Sequence, residues 1–205
     1  AGSYAHGVAT EQSDFDTVHI FAFTREQLYG IDSSDNAFEV GDAKFFELGK
    51  VAGLALKSNP TILETLHLCA LNSIFREELL DLFSAAVAAP DVASAYKGFV
   101  NSQITQLAKI NWDQTNPRYR KLLRHGLRAA EQGKKFLLEA EFVVNSPKKH
   151  LFVPELSPQA ALDALNWEVA ELDRIGRSSN LELKPESDRN RVNQIVVSIR
   201  ERLYD

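Results

Sequence analysis

A chain of 205 residues with 44% hydrophobic and 25% charged side chains has the composition of an ordinary soluble globular protein, long enough to bury a core as one domain or two small ones. Its net charge of −5 excludes wholesale coating of nucleic acid, so any RNA or DNA contact must come from a local basic patch. The single cysteine, Cys69, excludes an internal disulfide, and no stretch reaches the ~18 apolar residues of a membrane span.

The chain opens on Gly2-Ser3-Tyr4-Ala5-His6-Gly7, a small turn with free backbone N–H groups and a hydroxyl, the kind of anion nest in which a triphosphate could lie. Asp14-Phe15-Asp16 follows. In an extended strand, residues i and i+2 share a face, so Asp14 and Asp16 stand side by side and repel unless a cation sits between them. Hard oxygen ligands favour Mg²⁺, with Mn²⁺ as the substitute. Thr17 to Thr24 reads as a strand, apolar on both faces, and Gly30 to Asn36 as a turn cluster. Ala37 to Phe46 reads as a second strand whose spacing puts Glu39 and Asp42 on opposite faces. His6 and His19 stand thirteen residues apart with no partner ligand nearby, and read as structural or solvent-facing.

From Leu48 the apolar period lengthens. Leu48, Val51, Ala52, Ala55 and Leu56 form a helical stripe stopped at Asn59-Pro60, and Ile62, Leu63 and Leu66 begin another helix with Glu64 in its first turn. Cys69 reads as a small hydrophobe in that helix. Phe75 to Ala89 and Val92 to Ile110 read as amphipathic helices, and 112–117 as a loop that divides an N-terminal core, 1–111, from a helical region, 112–205. The helix from Arg118 to Leu138 is locally basic, with Arg118, Arg120, Lys121, Arg124, Arg128, Lys134 and Lys135. On it Lys121, His125 and Arg128 fall at i, i+4 and i+7, one face that suits a triphosphate or a nucleic-acid backbone. The competing reading is a solvated face. Glu141 to Val144 is a short strand or the helix end, and 145–157 a Pro-rich loop. Ser157-Pro158 caps a helix carrying Ala161, Leu162, Leu165, Val169, Leu172 and Ile175, and Val192 to Leu203 marks the last one.

Gly2-Ser3, a ten-residue gap, then Asp14-x-Asp16 resembles the signature of the DNA polymerase beta nucleotidyltransferase superfamily. Asp42 to Phe46, Leu48 to Lys57, Asn59-Pro60, Leu63-Glu64 and the Lys121, His125, Arg128 helix resemble its bacterial and phage branch linked to RNA repair. The resemblance implies an α+β fold, a small mixed β-sheet core with a C-terminal helical bundle. It implies Asp42 as the third metal carboxylate, with Glu39 and Glu47 as competitors. Gly2 and Ser3 would bind the β- and γ-phosphates, Lys121 and Arg128 would contact phosphate and His125 would position it. Glu64 becomes either a substrate-side carboxylate or, slightly favoured, an anion at a helix N-terminus. The family pattern puts a helix and a strand before the Gly-Ser turn, and the chain has no methionine, so upstream residues are expected.

The implied reaction is two-metal-ion transfer of a nucleoside monophosphate from a nucleoside triphosphate to a hydroxyl, such as a tRNA-like RNA end, in the cytoplasm and away from membranes. Two alternatives stand beside it. One is a non-catalytic nucleotide- or RNA-binding module, which has no need of three carboxylates. The other is a transferase acting on a small molecule such as an aminoglycoside, or on a protein side chain in a toxin-antitoxin pair.

Overall fold

The computed structural model describes residues 17–30, 35–110, 117–144, 156–178 and 181–205. In chain order these form β1 (Thr17–Phe21), α1 (Arg25–Tyr29), β2 (Ala37–Val40), β3 (Ala43–Glu47), α2 (Leu48–Ala55), α3 (Pro60–Leu71), α4 (Arg76–Ala86), α5 (Ala89–Leu107), α6 (Pro117–Glu139), α7 (Pro158–Gly176) and α8 (Arg189–Tyr204), an α+β fold with a small mixed sheet. The chain divides into two compact units, 1–87 with 186–205, and 88–185. The expected division at 111/112 therefore falls inside the second unit, and α8 belongs to the first.

In the first unit the sheet order is β1-β3-β2, with β1 parallel and β2 antiparallel to β3. The single strand expected over Ala37 to Phe46 is a hairpin instead. Gly41 takes φ +56, a left-handed conformation that glycine adopts without steric cost, and the chain reverses through Gly41 and Asp42. β3 runs directly into α2, whose first residues are capped by the Glu47 side chain. Asn59 caps α3 by accepting from the Ile62 amide at 3.1 Å, and Pro60 occupies the first turn. Leu48, Val51, Ala52 and Ala55 of α2, Leu63, Leu66 and Ala70 of α3, and Leu82 and Ala86 of α4 are buried, and α8 adds Val192, Ile195, Val196 and Ile199 to the core.

The second unit packs α5, α6 and α7 together. Gly126, Ala129, Ala130 and Gly133 line the buried side of α6 at helical spacing. A Cβ at Gly133 would meet the Tyr96 ring of α5 at 2.7 Å, so the small residue is what lets α5 approach. The Tyr96 hydroxyl donates to Gln132 Oε1 at 3.0 Å, and Gln132 Nε2 donates to the Val143 carbonyl at 2.6 Å, which satisfies a buried amide. Residues 141–144 form neither strand nor helix. Ser157 caps α7, its hydroxyl accepting from the Ala160 amide at 3.3 Å. Among the described residues no single helix is long and apolar enough to cross a membrane.

Candidate active site

The hairpin sets the position of Asp42. Because β1 and β3 are parallel and Thr17 pairs with Ala43, both strands start at the same end of the sheet. The Thr17 amide donates to the Asp42 carbonyl at 3.2 Å. Asp42 thus stands beside the start of β1, on an exposed turn and not within a strand. Gly2, Ser3, Asp14 and Asp16 lie outside the described residues, as does His6. Thr17, at the head of β1, is the residue that follows Asp16 in sequence.

The two competing acids are engaged elsewhere. Glu39, exposed on β2, pairs with Lys44 of β3 at 3.3 Å. Glu47 is only 4% exposed and accepts from the Gly49 and Lys50 amides at 2.6 and 3.2 Å and from Arg200 of α8 at 2.5 Å. Its carboxylate is a helix cap and half of a buried ion pair. Among the described residues, no group of three or more His, Cys, Asp or Glu side chains is placed to hold a metal ion. An exposed, hard-oxygen carboxylate at Asp42 fits one side of a Mg²⁺ or Mn²⁺ site, whose remaining expected ligands precede β1.

Glu64 is buried in the second turn of α3, and the first turn carries no acid. It is therefore not the terminal anion that the sequence favoured. Cys69 sits half-buried with its thiol 3.8 Å from the Val18 carbonyl, and burial raises its pKa, as suits a residue that packs as a small hydrophobe. Burial lowers the pKa of His67 in the same helix.

In the second unit, Lys121, His125 and Arg128 share one flank of α6, with Lys121 exposed and the other two half-buried. Toward the C-terminal end of the helix the positive charge is neutralised. Lys134 pairs with Glu168 of α7 at 2.5 Å, and Lys135 with Glu141 at 2.7 Å and Glu139 at 3.8 Å.

One cluster escaped the sequence reading. His19 of β1, Phe45 of β3 and Phe38 of β2 stack side by side across the sheet, with centroids 4.7 and 4.8 Å apart and planes 14° and 10° from parallel. Phe21 lies 5.6 Å from Phe38 and 5.5 Å from Phe23. Aromatics at alternate positions were visible in the chain. Their alignment was not, because it follows from the register of the β2–β3 hairpin together with that of the parallel β1–β3 pair.

Comparison with family models matches residues 1–180 to a family described as RNA repair pathway DNA polymerase beta family. Comparison with curated proteins and with solved structures returned no match.

Proposed function

The chain belongs to the RNA repair pathway DNA polymerase beta family, and from that premise we propose that it transfers a nucleoside monophosphate from a nucleoside triphosphate to the terminal hydroxyl of an RNA. Asp14, Asp16 and Asp42 would hold Mg²⁺ or Mn²⁺, which when bound would lower the pKa of the attacking hydroxyl and neutralise charge on the triphosphate. The acceptor oxygen bonds to the α-phosphorus while the bond from that phosphorus to the bridging oxygen breaks. Pyrophosphate leaves with the electron pair, and the hydroxyl proton passes to solvent. The backbone around Gly2 and the Ser3 hydroxyl would donate to the β- and γ-phosphates; in the second unit Lys121 and Arg128 would serve phosphate contact, of a triphosphate or an RNA backbone, with His125 positioning it. Catalysis of this kind rests on positioning and charge neutralisation, and no covalent enzyme intermediate is needed.

The observation that supports this reading most is the parallel register of β1 and β3, which brings Asp42 to the head of the strand that follows Asp14 and Asp16 in sequence. The test is incubation with Mg²⁺, each labelled nucleoside triphosphate and a panel of RNA ends. Asp42→Asn, and separately the pair Asp14→Asn with Asp16→Asn, are expected to lower incorporation by on the order of 100-fold or more, the scale of losing one preorganised charge. Incorporation that survives both changes would remove these residues from the chemistry.

A further inference from the structure

We propose that the outward ridge of α6, formed by Arg120, Arg124 and Arg128 with Lys121 beside them, is a track for the phosphate backbone of the acceptor RNA strand. The proposal rests on the RNA-acceptor reading above and deepens it. The partner of this face is a strand and not a triphosphate, and Arg120 and Arg124 join the residues that hold it.

As plain structure the ridge is costly. From Pro117 to Ala130 the helix carries Arg118, Arg120, Lys121, Arg124 and Arg128 and no acid, in a chain that has 28 acidic residues against 23 basic ones. The first turn of α6 has no acidic residue. Cations at that end oppose the helix dipole, whose positive pole is the N-terminus. Arg120, Arg124 and Arg128 also follow one another at i, i+4 and i+8, where like charges are neighbours and destabilise a helix. Elsewhere in the second unit cations are neutralised: Lys97 pairs with Asp173 at 2.7 Å, Lys134 with Glu168 at 2.5 Å and Arg174 with Glu171 at 2.8 Å. Lys121 and Arg124 have no carboxylate partner among the described residues. A polyanion laid along the ridge offsets both costs at once.

Shape selects the strand. Arg120 to Arg128 covers about 12 Å of the helix axis, with an arginine about every 6 Å. A triphosphate joins its phosphates through single oxygens and is more compact than such a row, whereas a nucleic-acid strand carries a phosphate on every nucleotide and can follow it. An anionic lipid surface is the other extended polyanion, but a helix that lies on a membrane sinks an apolar face into it. The apolar face of α6 is already taken, because Leu122, Leu123, Phe136 and Leu137 are buried. The family match, described as RNA repair, supplies the chemical class. Contacts of this kind hold and position a backbone without reading its sequence.

The full chain is titrated with a fluorescein-labelled single-stranded dodecaribonucleotide at several salt concentrations, followed by anisotropy. ATP binding is measured by equilibrium dialysis, and binding to vesicles of phosphatidylcholine and phosphatidylserine by cosedimentation. The variants are Arg124→Gln, the pair Arg120→Gln with Arg124→Gln, and the charge-keeping Arg124→Lys. Arg174→Gln removes the same charge from α7 as a control, and circular dichroism checks that all fold. Arg124→Gln is expected to weaken RNA binding roughly three- to tenfold and to lower its salt dependence by about one phosphate contact, and the pair by about two. Arg124→Lys keeps most of both, Arg174→Gln changes neither, and ATP affinity stays as in the parent. The track is refuted if the parent does not bind the RNA, if the pair leaves affinity and salt dependence unchanged, or if Arg174→Gln weakens binding as much as Arg124→Gln. It is refuted equally if ATP affinity falls, or vesicles are bound, in place of the strand. Ridge-dependent RNA binding without nucleotide transfer would sink the transferase reading alone, and transfer with a KM for RNA that the pair leaves unchanged would sink the track alone.

Discussion

Asp42 and Glu47 are both acids at the ends of β3, yet they have opposite fates. Asp42 is exposed on a turn, whereas Glu47 is buried against α2 and Arg200. Removing Glu47 takes away a cap worth about 1 kcal/mol and strands a guanidinium whose Nε is already buried without a hydrogen bond. We expect Glu47→Ala to destabilise the first unit by roughly 3 kcal/mol or more in chemical denaturation; a loss below about 1 kcal/mol would mean that Arg200 finds water and only the cap matters. Asp42→Asn, by contrast, should leave stability within about 0.5 kcal/mol of the parent, so its effect on activity can be read directly. Local sequence held both acids as candidates for one role. What separates them is a partner 153 residues away, which no spacing rule reaches.

At the level of elements, legibility followed the apolar period. Helices α2, α6, α7 and α8 were evident because each buries one stripe, and the caps at Asn59 and Ser157 stand where polar residues precede prolines. The five-residue helix α1 was missed because it has no buried residue to create a period, although Thr24 and Gln27 form a capping box. The hairpin was missed because Ala37 to Phe46 alternates through the turn, and only Gly41 marks it. Of the candidate site, the sequence offered residue types only; the placement of Asp42 came from the strand register, and Gly2, Ser3, Asp14 and Asp16 lie outside the described residues. For α6, composition identified the basic run, but the structure shows Lys134 and Lys135 paired with carboxylates. Lys121 and Arg128 lie on the expected flank, away from those two pairs. Lys121→Ala and Arg128→Ala are expected to weaken triphosphate or RNA binding several-fold with unchanged melting, each lowering the salt dependence of RNA binding by about one phosphate contact. Unchanged affinity in both would return that flank to a solvated surface.

Across the whole molecule, the family match ends at residue 180 while the first unit is completed by 186–205. Helix α8 buries Val192, Ile195, Val196 and Ile199, and its Arg191, Arg200 and Arg202 pair with Asp81, Glu47 and Glu78. The Tyr204 hydroxyl donates to the Phe23 carbonyl, and Arg25 lies over the Tyr204 ring at 5.2 Å. Burying four aliphatic side chains at about 1.5–3 kcal/mol each is comparable to the whole stability of a small domain, about 5–15 kcal/mol. Truncation after residue 188 should therefore abolish cooperative unfolding of the first unit and expose dye-binding apolar surface. An unchanged melting transition in the truncated chain would show α8 to be an ornament on a core that stands without it.

The return of the chain at Glu186 also orders events during synthesis. Residues 17–87 leave the ribosome long before α8, and all of 88–185 must be translated in between. Until then the nascent polypeptide carries α4 without the helix that covers it, a stage at which chaperones rather than tertiary contacts must guard it against aggregation.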